Sequence, residues 1–258
     1  MIRQQLCAFI KLSFLDLYRR KDLFVLLVLS CVLLTPLALL RPFGQMGGNR
    51  YMNEIAMLMI WVFSFIIALG ASSRLFPPEF ESRTIYPLLS KPVSRGVVLL
   101  GKYLGALSTS ISALAIFYFL YAMLNGFRGG EWFSPLLLQA FVLHCGFTAI
   151  VVALGLLGSL LVTTSANITL TSTIVVVMFL LGRRLPHYIA ADETPVRWII
   201  AAAHAIGPHV EFFDLRQRLV HSWEMISWPV CALALIYAAS YSVTCLWLAW
   251  LALRRKQL

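Results

Sequence analysis

Six long stretches of this chain carry no Asp, Glu, Lys or Arg: about Leu23–Leu40, Ile55–Ser73, Tyr103–Leu124, Leu136–Val162, Thr164–Gly182 and Pro229–Leu253. Each is close to the about 20 residues that an α-helix needs to cross the hydrocarbon layer. Hydrocarbon accepts only backbone whose N–H and C=O groups are bonded within the spanning structure, and a helix meets that condition alone. The composition agrees, with 60% hydrophobic and 12% charged residues, against about 45–50% and about 25% in soluble domains. The predicted fold is an all-α membrane protein of six transmembrane helices, in one domain over residues 1–258.

Lys and Arg give the orientation. Arg3, Lys11, Arg19, Arg20 and Lys21 precede the first span, Arg74, Arg83, Lys91, Arg95 and Lys102 follow the second, and Arg254, Arg255 and Lys256 close the chain. The positive-inside rule then puts both termini and the 74–102 loop in the cytoplasm. Arg183, Arg184, Arg197, Arg216 and Arg218 on the other side reduce the contrast. The net charge of +10 is accounted for by this topology and by attraction to anionic lipid, with no nucleic-acid partner required.

Residues 1–22 read as an amphipathic helix on the membrane surface. At helical spacing Ile2, Leu6, Phe9, Ile10, Phe14 and Leu17 share one arc, opposite Gln4, Gln5, Lys11, Asp16 and Arg19. A solvated extension of the first span is the alternative. No small-x-small cleavage pattern follows the first apolar run, which is therefore read as retained. Segment 183–228 is read as an outer cap. Its "VRWIIAAAHAIG" is too short to span, which predicts a re-entrant or interfacial helix followed by a second, amphipathic one.

Groups that carry chemistry are sparse in the spans. The only imidazole there is His144, read as a neutral side chain bonded to a neighbouring helix. His187, His204, His209 and His221 lie in the cap at spacings of 17, 5 and 12, which place no i, i+4 ligand pair on one helix. No metal site is predicted, and no cofactor site. The five cysteines form no C-x-x-C pair and read as buried packing residues. No Ser-His-Asp set or carboxylate pair falls within the membrane, so no catalytic residue is assigned and the chain is not read as an enzyme.

Gly96, Gly101 and Lys102 fit the G-x-x-x-x-G-K frame of a phosphate-binding loop. That loop needs Ser or Thr after the lysine, where this chain has Tyr103, and Val97–Leu100 fill the interval. Gly101 and Lys102 are read instead as the point where the third span enters the membrane, glycine allowing close packing and lysine reaching lipid phosphate.

The remaining candidate is the inner loop, "RLFPPEFESRTIYPLLSKPVSRGVVLLGKYLG". Pro77-Pro78 followed by Glu79 and Glu81 is a helix start, since proline suits the first turn and acids the positive end of the dipole. Phe80, Ile85, Leu88 and Leu89 offer an apolar face, and Pro87 and Pro92 keep the helix short. Such a helix beside the membrane suits docking; a solvated loop is the alternative.

This loop resembles that of the permease subunits of type-2 ABC exporters. The family's E-x-E-x-G-T-L run is matched by Glu79, Glu81, Thr84 and Ile85, and its leucine pair by Leu88 and Leu89. Its P-V-S-R turn is Pro92–Arg95, and its G-K-Y/F-L-G opening of the third span is Gly101–Gly105. Arg83 stands where the family has glycine, and Pro87 interrupts the stretch before the leucines. The resemblance implies a permease in the cell (inner) membrane, paired with a second copy or a related permease. It implies a cytoplasmic pair of ABC ATPase subunits that carry ATP and Mg. Contact with that ATPase falls to Glu79, Phe80, Glu81, Arg83, Thr84, Ile85, Leu88, Leu89, Lys91 and Arg95, through the 79–91 segment. A helical membrane anchor, or a haem- or quinone-binding subunit using the histidines, is the competing function.

Overall fold

The computed structural model describes residues 47–81, 94–127, 131–191, 194–221 and 223–255, and residues 12, 24, 25, 28 and 29. The described elements are α1 (Gly47–Ser73), α2 (Pro77–Glu81), α3 (Arg95–Phe127), α4 (Pro135–Leu161), α5 (Thr164–Leu181), α6 (Leu185–Ala191), α7 (Val196–Ile206), a 3-10 turn (Val210–Phe213), α8 (Arg216–Val220) and α9 (Trp228–Arg255). Among the described residues five helices, α1, α3, α4, α5 and α9, are long and apolar enough to cross a membrane. They contain the second to sixth charge-free stretches almost to the residue. The first stretch and the 1–22 helix lie outside the described residues, apart from the scattered positions named.

Helix α4 is the axis of the bundle, packing against α1, α3, α5 and α9. Of its most apolar segment 67% is buried, against 22% for α5 and 28% for α9. None of the three has a strongly amphipathic face, so this difference is set by position: α5 and α9 leave most of their apolar surface to surroundings that tolerate it. Lipid tails are as apolar as Leu, so helices in a membrane associate through close packing of small residues and through hydrogen bonds. Both devices join α4 to its neighbours. A Cβ on Gly155 would lie 2.1 Å from Ser72 Oγ of α1, so the two backbones meet where glycine permits it. Asn167 of α5 is 1% exposed; its Nδ2 donates to Gly155 O at 2.7 Å, and Thr171 Oγ1 donates to its Oδ1 at 3.1 Å.

Local sequence sets the helix ends. Ser134 caps α4, its hydroxyl accepting from Leu137 N at 3.2 Å, with Pro135 in the first turn, the arrangement that satisfies an orphan N–H and needs none from proline. Only Val162 and Thr163 separate α4 from α5, a tight hairpin. Helix α2 begins at the Pro77-Pro78 pair. Helix α3 starts at Arg95, ahead of the charge-free stretch, so residues 95–102 are helix where the sequence reads loop. Ser94 makes that start, receiving Val97 N on its carbonyl at 3.0 Å, and apolar Val97–Leu100 continue it.

The cap has one more element than expected, α6, and the second of the two expected helices is a 3-10 turn followed by α8. Helix α7 buries no residue; Trp198, Ile199 and Ile206 are 67%, 71% and 76% exposed. An apolar helix too short to span, with its apolar residues outward, has the character of an interfacial helix. The 3-10 turn and α8 do the opposite: Val210, Phe213, Leu215 and Leu219 are buried, and α8 packs on α1 and α4.

Candidate functional site

Polar groups concentrate at the two ends of the bundle, with one small network between them. At one end Lys102, on the second turn of α3, is buried. Its Nζ pairs with Glu79 Oε2 of α2 at 2.5 Å and donates to Leu75 O at 2.5 Å. It also lies 4.4 Å from the centre of the Phe76 ring. Leu75 belongs to the turn between α1 and α2, so one ammonium ties α3 to that turn and to the short helix beyond it. A second cation works in parallel. Arg95 Nη1 donates to Leu253 O at 3.0 Å and Arg254 O at 3.3 Å, carbonyls of the last turn of α9 that have no N–H partner within the helix. A cation there also meets the negative end of the α9 dipole. The first turns of α3 thereby hold the ends of α1 and α9.

This geometry departs from the sequence reading of Lys102. The ammonium turns into the protein, because Glu79 and the Leu75 carbonyl both lie within reach on the α1–α2 side. A buried cation is tolerated when paired and hydrogen-bonded, and removing its partner is costly. Glu79 is one-third exposed and spends its charge on Lys102; Arg95 spends its on α9. Gly101 is buried beside Lys102. Phe80 and Glu81 belong to α2, but their side chains lie outside the described residues. Arg83, Thr84, Ile85, Leu88, Leu89 and Lys91 fall outside the described residues altogether.

Midway, His144 is completely buried. Its Nε2 is 2.8 Å from Ser64 Oγ of α1, and its Nδ1 is 3.3 Å from the Tyr118 hydroxyl of α3. The ring stacks on Trp61, with centroids 4.5 Å apart. Both nitrogens are within hydrogen-bond distance of hydroxyls on neighbouring helices, as expected for a packing histidine. Above it Arg216 of α8 covers the Trp61 and Phe179 rings at 5.4 and 4.8 Å. Its guanidinium pairs with Asp214 through Nε–Oδ1 at 2.9 Å and Nη2–Oδ2 at 3.1 Å.

At the cap end, fully buried Gln139 of α4 pins the non-helical segment that leads into α9. Its Nε2 donates to Ile226 O at 2.7 Å, and its Oε1 accepts from Ile226 N at 3.2 Å. His187 sits on α6 and His221 just after α8, bonded to Gln217 O at 2.9 Å. His204 and His209 come together, and Glu211 joins them. The ligand atoms of these three residues lie within 4.8 Å of one another. Spacing alone hid this group, because the glycine-proline break at 207–208 brings the end of α7 back beside the 3-10 turn. A glycine-proline break between two histidines, with a glutamate two residues on, is the signal in the sequence.

Residues 21–248 match the family model described as ABC-2 family transporter protein. No curated protein matches the chain. The family match covers most of the sequence, and the chain belongs to the ABC-2 transporter family.

Proposed function

We propose that this ABC-2 family permease is driven by a separate cytoplasmic ATPase pair that acts on the 79–91 segment. ATP and Mg reside on that partner, and a second copy of the chain or a related permease completes the pathway. Both termini and the α2 end of the bundle face the cytoplasm of the cell (inner) membrane, and transport is outward. The observation that carries the reading is the three-way hold of Lys102 on Glu79, the Leu75 carbonyl and the Phe76 ring.

A docking helix attached to its span only by loop would absorb a push in the loop. With Lys102 in place, displacement of α2 is displacement of α3 and of the α1–α2 turn, and Arg95 carries it on to the end of α9. Closure of the ATPase pair on ATP would therefore move three spans together. In this account Glu79 faces inward as the fastener. The contact with the ATPase falls to the apolar residues and charges farther along the segment, Phe80, Glu81, Ile85, Leu88 and Leu89 among them.

The test is purification of the tagged chain in mild detergent, with identification of co-purifying proteins and assay of ATP hydrolysis. A stoichiometric ATP-binding subunit is the expected result. A preparation of this chain alone, with no ATPase retained after crosslinking, would remove the proposal.

A further inference from the structure

We propose that His204, His209 and Glu211 form a binding site for a borderline divalent cation of the Zn²⁺ type, which clasps the end of α7 to the 3-10 turn and the end of α5. The backbone makes the group possible. Helix α7 stops at Gly207, where a Cβ would lie 2.9 Å from the Met178 Sδ and Cε atoms and 3.0 Å from Ala203 O. The chain turns through Pro208, places His209 with its main-chain N–H on the Tyr237 hydroxyl at 2.9 Å, and coils so that Glu211 points back. Gly182, the residue that ends α5, leaves the room: a Cβ there would lie 2.7 Å from both Glu211 Cδ and Oε1.

Charge and bonding in the group are unbalanced. Glu211 is 6% exposed, and its Oε2 has no hydrogen-bond partner among the described residues; His209 Nδ1 has none either. What that nitrogen has is Glu211 Oε1, 3.3 Å away. The guanidiniums nearby are directed elsewhere, Arg183 to the main-chain oxygen of Glu211 at 3.3 Å and Arg216 to Asp214. A buried carboxylate with an orphaned oxygen is expensive, and a cation between it and the imidazoles removes the cost.

The donor set selects the metal. Two imidazoles and one carboxylate form a known zinc set that leaves a fourth position open, whereas Ca²⁺ and Mg²⁺ want oxygen throughout. Tetrahedral bonds of about 2.0–2.1 Å put neighbouring donor atoms about 3.3 Å apart, which is the His209–Glu211 separation observed. The His204 and His209 ring centroids are 4.5 Å apart, near enough for side-chain rotation to bring both onto one ion. A metal-bound imidazole usually holds its other nitrogen on a carbonyl or carboxylate, and His204 Nε2 lies 3.3 Å from Gly182 O.

The full chain, purified on a histidine-free tag and stripped with chelator, is equilibrated with Zn²⁺ alone and desalted. One zinc per chain is expected to remain, with a zinc-dependent rise in Tm. Glu211→Gln and His204→Asn should each weaken zinc binding at least as much as the about 10–100-fold typical of losing an outer partner; His187→Asn should not. Should a variant fail to fold, Co²⁺ on the wild-type chain reports the site by itself, with the intense visible absorption of a tetrahedral centre expected. Absence of stoichiometric zinc, equal zinc on all variants, or only the pale absorption of octahedral Co²⁺ would each overturn the site.

Discussion

The two ends of the bundle bury opposite charges and treat them differently. At the α2 end the buried cation Lys102 has a carboxylate, a main-chain carbonyl and an aromatic face. At the cap end the buried carboxylate of Glu211 has one close imidazole and an orphaned oxygen. The first pairs a full cation with a full anion inside the chain, as the proposed coupling joint requires. The second is complete only with something added, as suits a site. Between the ends, His144 and Asn167 show polar residues serving packing: His144 bonds Ser64 and Tyr118 of two neighbouring helices, and Asn167 bonds Gly155 of α4 and Thr171 of its own helix.

The contrast is broken most strongly at Lys102. Lys102→Met leaves Glu79 without its cation and Leu75 O without its donor, and should cost about 3 kcal/mol, the lower bound for breaking a buried pair because Glu79 can turn to water. Thermal unfolding in detergent measures it, and a loss below about 1 kcal/mol would reduce the lock to a surface pair. Gly182→Ala sharpens the other side. Its methyl has no room beside Glu211 and Met178 O, so a loss of about 1–3 kcal/mol is expected, together with weakened zinc retention; unchanged retention would mean that Glu211 does not need its present position. Gln139→Leu removes both bonds to Ile226 and should cost about 1–3 kcal/mol, near the low end if water reaches the freed main-chain groups. Hydrogen exchange at residues 223–227 should rise while the α2 end stays as it was. The smallest effect belongs to Ser64→Ala, which takes one bond from His144 and should cost about 0.6 kcal/mol, the usual worth of such a bond between membrane helices.

The second to sixth spans were legible because the absence of charge over some 20 residues has one physical solution in lipid, and the α4–α5 hairpin followed from the shortness of the interval. Helix α2 was legible from Pro77-Pro78 and Glu79. What escaped was partnership across the chain. Lys102 after a glycine at the mouth of a span reads as a residue bound for lipid phosphate, and nothing local shows that Glu79 and Leu75 wait on the neighbouring turn. Arg95, read as part of a docking loop, caps a helix that arrives more than 150 residues later. His204, His209 and Glu211 were separated by a helix end, so a search for ligands at helical spacing passed over them.

The central claim is that Glu79 and Lys102 fasten the docking helix to the third span, and exchange of their charges tests it most directly. In the assembled transporter, ATP hydrolysis and its response to transport are compared for Glu79→Lys, Lys102→Glu and the double exchange. The account predicts that each single variant uncouples hydrolysis from transport and that the double variant recovers much of the coupling, since opposite charges again face one another across the same gap. Single variants that couple normally, or a double variant as defective as either single one, would contradict it.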